Sequence, residues 1–270
     1  ENRMESWKDL NEKFSDLVKG KSIALVGPAG SLAGSGSGPE IDSHDLVARV
    51  KSFQHPPSAA KDLGSRTDLV YTVTPVEQVD LSDFEKYIHP ITGDEMYKME
   101  SEPSFKRYEG IKFVVSCYPK EVWFSHRFQE SFESLKSSGI CDCRFSNPGK
   151  FFEISKQLNC RPQSGFGAII DLLQFPIKSL HIYGIDFHRS MYRDGYVNCL
   201  FTKEALGQAH TDDDQGDYHS PDLEYNYFKK EIWKKDPRVK PSKELLAFLE
   251  DNKFDIVFPN SKTGTKDEVS

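Results

Sequence analysis

The sequence predicts an α/β fold, in which a mainly parallel central sheet carries helices on both of its faces. Nearly continuous apolar runs indicate buried strands at 22–27, 45–50, 68–73, 111–117, 179–185 and 254–258. Helical patterns fill several of the gaps between these runs, at about 120–138, 149–158 and 164–174. Apolar strands that alternate with helices are typical of a parallel sheet covered on both sides.

The first element is a predicted amphipathic helix within residues 4–20. Its apolar side chains recur at helical spacing, on one face: Trp7, Leu10, Phe14 and Leu17. Gly20 is expected to end this helix, because glycine is the residue favoured just past a helix C-terminus.

The 270 residues suit one large α/β domain or two small ones. We expect a single domain over 1–270, because strands and helices alternate along most of it. The polar segment 77–110 is expected to be an irregular surface excursion, and residues 261–270 a flexible tail.

The composition bears on whether the chain binds nucleic acid, whether it crosses a membrane and in which redox compartment it works. The net charge of −7 gives no support for binding to a nucleic-acid duplex, which would need a basic face. No run of about 18 apolar residues is present, so we expect no transmembrane segment in this chain. The five cysteines are odd in number and form no CxxC pair, which favours a reducing, cytoplasmic setting. The alternative is a protein whose N-terminal membrane anchor has been removed.

Three loops are expected to line one cleft, because ligands of parallel α/β sheets bind outside the carboxyl ends of the strands. They are GPAGSLAGSGSG, TPVEQ and GIDFHRS, which follow the strands ending near residues 27, 73 and 183. Backbone N–H groups of the loop 27–38 could hold a phosphate, although the GxGxxG spacing and the Walker lysine are absent. The alternative for this loop is an ordinary surface connection.

Two polar segments allow more than one interpretation. IDSHD at 41–45 either takes part in catalysis or satisfies the backbone of a turn before a strand. HTDDDQGD at 210–217 either places Asp212, Asp213, Asp214 and Asp217 around a divalent metal or forms a solvated acidic loop.

His219 is a candidate general base. It precedes a predicted helix whose N-cap is Ser220, whose first residue is Pro221, and whose dipole is complemented by Asp222. The positive end of a helix disfavours imidazolium, so a histidine here stays neutral and can accept a proton near pH 7. An ordinary surface histidine is the alternative.

These segments together resemble the animal-type sialyltransferase family, which is defined by large, small, third and very small sialylmotifs. ALVGPAGSLAGSGSGPEIDSHDLVARV resembles the large motif, and GSRTD at 64–68 resembles the element that follows it. PQSGFGAIIDLLQFPIKSLHIYG at 162–184 resembles the small motif, preceded by an Asn-Pro pair at 147–148. His219 and Glu224 reproduce the His-x4-Glu of the very small motif.

The resemblance implies a Rossmann-like variant of the GT-A glycosyltransferase fold. It implies an inverting transfer of sialic acid, or a related 2-keto acid sugar such as Kdo, from a CMP-sugar to a glycan or glycolipid acceptor. No cofactor and no divalent metal are expected, because the family stabilises the leaving phosphate with protein donors.

The resemblance also implies roles for particular residues. His219 is the expected general base, with Glu224 as its catalytic companion, and Asp42 and His44 become scaffold rather than catalytic residues. His210 stands near the position of the third motif's phosphate-contacting histidine, although the aromatic pair beside that histidine is missing. The expected nucleotide- and donor-binding residues are Gly27, Pro28, Ala29, Lys51, Asn147, Ser164, Gly165, Phe166, Gly184 and His210.

Three departures from the family pattern leave alternatives open. Pro28 and Lys51 stand where the family has asparagines, and Ile23 and Ile177 stand where it has two disulfide-bonded cysteines. A lysine could replace an amide hydrogen bond by a charge on the phosphate. The alternatives are therefore the same scaffold with a changed nucleotide-sugar donor, or a non-catalytic nucleotide- or carbohydrate-binding module.

Overall fold

The computed structural model describes residues 6–51, 53–73, 75, 84–88, 95–99, 105–122, 126–190 and 219–251. The described strands are β1 (Ser22–Val26), β2 (Leu46–Val50), β3 (Leu69–Thr72), β4 (Phe84–Ile88), β5 (Glu95–Met99), β6 (Phe113–Ser116), β7 (Asp142–Phe145), β8 (Ser179–Tyr183) and β9 (Val239–Pro241). The described α-helices are α1 (Trp7–Val18), α2 (Gly38–Asp42), α3 (Ala60–Leu63), α4 (His126–Ser138), α5 (Pro148–Leu158), α6 (Ser164–Leu173), α7 (Pro221–Tyr227) and α8 (Lys243–Glu250). A π-helical turn, Phe228–Trp233, continues α7. None of these helices combines the length and the apolar character needed to cross a bilayer.

Seven parallel strands form the central sheet in the order β7–β6–β3–β2–β1–β8–β9. From β1 the chain moves outward through β2, β3 and β6 to β7, and then returns to β8 on the other side of β1. The strand order therefore reverses between β1 and β8, and such a switch point opens a crevice at the carboxyl ends of the strands. The predicted parallel α/β sheet is confirmed.

Several elements differ from the sequence-based predictions. β7 and β9 were not expected, because Arg144 interrupts the apolar run of β7 and Pro241 ends the short β9. The expectation of an irregular excursion at 77–110 is wrong for β4 and β5, which pair as an antiparallel two-stranded sheet. Such a ladder rests on backbone hydrogen bonds and needs no continuous apolar run. The strand expected at 254–258 and the tail at 261–270 lie outside the described residues.

Helix α1 follows the predicted amphipathic pattern. The Ser6 side chain accepts a hydrogen bond from the Asp9 amide, and the Asp9 side chain accepts one from the Ser6 amide, which forms a capping box. Leu10, Phe14 and Val18 are buried against the sheet, while the predicted Trp7 and Leu17 are partly buried. Gly20 follows the helix with φ of 69°, as its predicted role requires.

The two isoleucines at the family's cysteine positions are both buried. Ile23 and Ile177 belong to one hydrophobic cluster, which lies on the α1 and α6 side of the sheet. Apolar packing therefore occupies the region in which the family's disulfide would lie. The described cysteines, which are Cys117, Cys141, Cys143 and Cys160, are free thiols.

A buried ion pair joins β7 to α6. Arg144 donates from Nη1 to Oδ2 of Asp171 at 2.7 Å and from Nη2 to Oδ1 at 2.9 Å, and both side chains are 1% exposed. Tyr71 Oη donates to Oδ2 of Asp171 at 2.8 Å, and the Asn147 amide donates to Oδ1 at 2.9 Å. The Asp171 carboxylate therefore ties β3, β7 and the start of α5 to α6.

Replacing Asp171 should show how strongly the core depends on this carboxylate. Asp171→Asn leaves the Arg144 guanidinium buried without a counter-charge, and we expect the free energy of unfolding to fall by about 3–5 kcal/mol. The matched control is Asp142→Asn, which removes the partly exposed pair with Lys13 and should cost less than about 1 kcal/mol. Urea unfolding followed by circular dichroism measures both, and equal losses in the two variants would contradict this dependence.

Candidate active site

The crevice at the switch point is closed at its base by two glycines. The Gly27 amide donates to the Tyr183 carbonyl at 2.8 Å, and the Ala29 amide donates to the Gly184 carbonyl at 2.9 Å. A Cβ atom on Gly27 would lie 2.4 Å from the Gly184 oxygen, and Gly184 itself has φ of 61°. Only glycine fits this close approach, and the chain after β1 is thereby held at the end of β8.

The glycine loop after β1 is bound by a protein carboxylate. Gly34 and Gly36 donate their amides to Oδ2 and Oδ1 of Asp62 at 2.9 and 2.8 Å. These two hydrogen bonds lower the pKa of Asp62, so its carboxylate stays ionised at neutral pH. The hypothesis that the loop cradles a phosphate is therefore wrong for these two amides, because a tertiary contact already occupies them.

The segment IDSHD makes structural contacts with residues 65 and 66. The Asp42 carboxylate accepts hydrogen bonds from the amides of Ser65 and Arg66. Arg66 Nη1 in turn donates to the carbonyls of Asp42 and His44 at 2.7 and 2.8 Å. These contacts join the turn before β2 to the Gly-Ser-Arg-Thr segment before β3, on the side away from the crevice.

Lys51 lies at the carboxyl end of β2 in an unusual backbone conformation. Its φ is 58°, and its amide donates to the Tyr71 carbonyl at 2.7 Å. Burial raises the pKa of the Cys117 thiol to about 12, and the charge of Lys51 partly opposes this rise. The ammonium group therefore acts on the end of β6, next to the start of α6.

Two helix N-termini meet the crevice at Asn147 and Ser164. Asn147 is the N-cap of α5, and its side chain makes no capping hydrogen bond within that helix. Ser164 is the buried first residue of α6, and its side chain lowers the pKa values of the Cys117 thiol and the Tyr118 hydroxyl against the larger effect of burial. The first amides of an α-helix lack intrahelical partners, so this end of α6 suits an anion.

The next two residues of α6 lie against the loop that follows β8. A Cβ atom on Gly165 would lie 3.3 Å from Ile185, so the small residue allows tight packing there. The Phe166 ring is buried between Phe187 and Tyr227, with ring centroids 5.9 and 6.2 Å away. Phe166 can therefore meet a ligand only through its backbone.

His219 is held in a defined tautomer beside the start of α6. Its Nδ1 donates to the Arg161 carbonyl at 2.7 Å, because a carbonyl oxygen can only accept. Its Nε2 accepts from Arg161 Nη2 at 3.4 Å, since a guanidinium can only donate. Nε2 therefore carries a lone pair, which is the state that a general base requires. The predicted capping of α7 is confirmed, because Ser220 Oγ accepts from the Leu223 amide.

Glu224 lies beneath the start of α6 instead of at the surface. It is fully buried, and its Oε1 accepts the Gln163 amide at 2.9 Å. Its Oε2 has no hydrogen-bond partner among the described residues. Burial raises the pKa of Glu224 well above its usual value, because the charged form of the carboxyl group loses its hydration there.

The loop after β8 is joined to the loop after β1 by a hydrogen bond of a buried carboxylate. Phe187 and His188 have φ of 54° and 61°, which is an uncommon conformation for such residues. The buried Asp186 accepts hydrogen bonds from the hydroxyls of Ser31 and Ser190, so this loop is fastened to the one after β1.

Sequence reasoning missed Arg161, Gln163 and Tyr118 as parts of the site. Arg161 orients His219 and places its guanidinium 5.3 Å from the Tyr118 ring centroid. Gln163 donates its side-chain amide to Nε2 of His188 at 3.0 Å. The only sequence signal for Arg161 and Gln163 was their position beside Pro162 and Ser164. His210 and the aspartates at 212–214 and 217 lie outside the described residues.

A small pocket opens on the α2 and α3 side of the crevice, next to Gly27 and Pro28. Arg49 forms its polar side, and this side chain is itself bound to the carbonyls of Leu63 and Arg66. The remaining lining is mainly apolar and consists of Val26, Val50, Phe53 and Leu63. Of the residues predicted to bind the donor, only Gly27 and Pro28 line this pocket.

The family model described as glycosyltransferase family 29 (sialyltransferase) matches residues 7–103. The chain resembles the sialyltransferases. Gly27, Pro28, Ala29 and Lys51 lie within the matched range, which ends before Asn147, Ser164 and His219. The sialyltransferase resemblance of the later segments therefore rests on the motifs quoted above.

Three individual proteins are similar to this chain to the following extents. "Sialyltransferase-like protein 2" of Oryza sativa subsp. indica is 45% identical over 51 residues, which are 19% of this chain and 13% of that protein. A crystal structure of a mammalian sialyltransferase is 14% identical, with a TM-score of 0.47, over 90% of this chain and 81% of that one. The sialyltransferase CstII from Campylobacter jejuni, in complex with the substrate analogue CMP-3FNeuAc, is 16% identical, with a TM-score of 0.41, over 78% of this chain and 77% of that one.

The buried carboxyl group of Glu224 should give a pH-dependent stability difference. Because its pKa is higher in the folded than in the unfolded chain, the wild type loses stability as the pH rises from about 4.5 towards the folded pKa. Glu224→Gln has no titrating group, so its stability relative to the wild type should rise with pH, by up to about 1.4 kcal/mol per unit.

Urea unfolding at a series of pH values between 5 and 8 measures this difference. The control is Glu250→Gln, at the exposed end of α8, whose difference from the wild type should stay constant over the same series. A constant difference for Glu224→Gln as well would show that Glu224 is ionised in the fold.

Proposed function

We propose that this chain is a glycosyltransferase of the sialyltransferase type. It transfers sialic acid, or a related 2-keto acid sugar such as Kdo, from a CMP-sugar to a hydroxyl group of a glycan or glycolipid acceptor. The observation that carries the proposal is the position of His219, whose Nε2 lone pair is held by Arg161 three residues before the α6 N-terminus. A base and an anion-binding helix end thus meet at the sheet's switch point.

His219 acts on the acceptor. The acceptor hydroxyl replaces Arg161 Nη2 as the hydrogen-bond donor to Nε2, and Nε2 takes its proton as the acceptor oxygen forms its bond to the anomeric carbon. The bond from the anomeric carbon to the CMP phosphate breaks on the opposite face, so the configuration inverts. The Nδ1–H bond to the Arg161 carbonyl keeps the ring in the required tautomer throughout.

The leaving phosphate is stabilised by protein donors. The free amides at the start of α6 and the Ser164 hydroxyl supply hydrogen bonds, and Lys51 supplies a positive charge from the end of β2. Negative charge that develops on the phosphate is thereby met by fixed dipoles, which need no reorganisation during the reaction. His210 is a further phosphate contact by family resemblance, and no metal ion is required in this step.

Glu224 has a positioning role in this proposal. Its carboxyl group is buried and binds the Gln163 amide, so it fixes α7 against the start of α6. The distance between His219 and the Ser164 turn is set by this contact and by Arg161. The donor nucleotide itself lies along Gly27, Pro28, Ala29, Asn147 and Gly184, with Gly165 and Phe166 contributing backbone.

Two broader features of the resemblance stay predictions. The variant GT-A classification follows from the sialylmotifs alone. A cytoplasmic location follows from the cysteine content and from the isoleucines in place of the family's disulfide.

Cytidine nucleotides should bind more tightly than uridine or guanosine nucleotides. We expect calorimetric titration to rank CMP above UMP and GDP, with no gain from added Mn²⁺. Ser164→Ala should weaken CMP binding by about 10- to 100-fold, because a hydrogen bond to a charged group is worth about 1.5–3 kcal/mol. The control is Ser155→Ala, whose hydroxyl only binds the Phe151 carbonyl within α5. A preference for UMP or GDP would favour the alternative of a changed nucleotide-sugar donor.

Loss of the base should lower the rate without lowering nucleotide affinity. His219→Ala should reduce kcat by about 100- to 10,000-fold, the usual contribution of general base catalysis. Its Kd for CMP should stay within a few-fold, since the base faces the acceptor. Steady-state kinetics and CMP titration measure the two effects, with His55→Ala as the histidine control. Retention of more than about a third of kcat would contradict the assignment, and His188 and Asp186 would be tested next.

A further inference from the structure

A second polar cluster lies on the α2 face of the sheet. It consists of Glu40 on α2, His44 in the turn after α2 and His181 on β8. One ligand atom from each of the three side chains lies within 4.8 Å of the other two. The two imidazole rings have centroids 4.1 Å apart at an angle of 45°. The sialyl-transfer proposal gives this cluster no part in binding or chemistry.

Tyr183 joins the three side chains into one network. Its hydroxyl donates to Oε1 of Glu40 at 2.7 Å and lies 3.1 Å from Nε2 of His44. Burial and the carboxylate of Glu40 raise the pKa of Tyr183, so the hydroxyl stays protonated and orients the carboxylate. Metal-ligating side chains typically have a hydrogen-bond partner of this kind, which fixes their orientation.

A second carboxylate faces the same network. The charge of Glu244, near the start of α8, acts on the Tyr183 hydroxyl. Glu244 Oε2 is buried and has no hydrogen-bond partner among the described residues. Lys240 is the positive group that acts on His181. Lys243 pairs with Oε1 of Glu244 at 3.6 Å, and Asp45 is a third carboxylate that acts on His44, so the cluster has charges of both signs around it.

Both imidazoles are partly removed from solvent. Burial lowers the pKa of His181 to about 4, with a further contribution from the charge of His44. Burial also lowers the pKa of His44, against the opposing charges of Glu40 and Asp45.

We propose that Glu40, His44 and His181 bind a zinc ion. Two imidazole nitrogens and a carboxylate oxygen form a ligand set that Zn²⁺ accepts, at distances of about 2.0–2.2 Å, with a fourth position for water. Closing the 4.8 Å cluster onto an ion needs only side-chain movements of about 1 Å, judged from these bond lengths.

The site is separate from the candidate active site. His181 pairs with Ala24 on β1, which is three residues before Gly27 and about 10 Å from it along the strand. His44 lies before the start of β2, whereas the donor residues follow the ends of the strands. The ion would fasten α2 to β8 and so hold the glycine loop that precedes α2. Zinc binding does not depend on the transferase proposal.

Zinc titration of the metal-free chain tests the proposal. We expect one Zn²⁺ per chain and a higher Tm with zinc, because an ion that binds only the folded state stabilises it. Glu40→Gln and His181→Gln should each lower zinc affinity by at least about 10- to 100-fold, the range for loss of an outer partner of a ligand. Glu40 is exposed, so its replacement leaves the core intact. The control His55→Gln, outside the cluster, should bind as the wild type does.

Cobalt binding distinguishes this site from the free thiols. Co²⁺ in the wild type should give a d–d spectrum without a thiolate charge-transfer band, and His44→Gln should abolish that spectrum. The proposal is overturned if the folded wild type binds no zinc, if the thiolate band is present, or if Glu40→Gln and His181→Gln, shown to be folded by circular dichroism, keep wild-type affinity.

Discussion

The carboxylate of Asp171 is the contact on which the rest of the structure depends. It lies in the core, and it accepts two hydrogen bonds from Arg144, one from Tyr71 and one from the Asn147 amide. The guanidinium of Arg144 is also enclosed by the rings of Phe14 and Phe175, at 4.4 and 5.0 Å from their centroids. A buried charge is tolerated only when it is paired and hydrogen-bonded in this way. The position of α6 relative to the sheet is therefore fixed by charge as well as by apolar packing.

The ion pair of Asp171 is connected to the candidate active site through the two ends of α6 and the start of α5. Asp171 holds the Asn147 backbone directly, while Glu224 and Arg161 join the opposite end of α6 to His219. At the switch point, Gly27 and Gly184 allow the ends of β1 and β8 to touch. His219, the N-terminus of α6 and the end of β1 are thus held near one another by contacts within the protein. Substrate binding is not needed to bring them together.

Much of this could be predicted from local sequence. Continuous apolar runs located β1, β2, β3, β6 and β8, and Ser220-Pro221 located the start of α7. β7 could not be recognised from local sequence, because it contains the charged Arg144. The burial of Arg144 depends on a carboxylate from a distant helix. Asp62 could not be paired with Gly34 and Gly36, nor Arg161 with His219, since these contacts exist only after the sheet has formed. The cluster of Glu40, His44 and His181 was missed for the same reason: α2 and β8 are neighbours in space but far apart in sequence.

The most direct test of the account is the release of CMP from a panel of nucleotide sugars. The panel should contain CMP-sialic acid, CMP-Kdo, a UDP-sugar and a GDP-sugar, each with and without a mixture of glycan acceptors. The account predicts that CMP is released from at least one of the two CMP-sugars, faster with acceptor, and that the UDP- and GDP-sugars are left intact. Turnover of only a UDP- or GDP-sugar would contradict it, and so would tight binding of CMP-sugars without release of CMP.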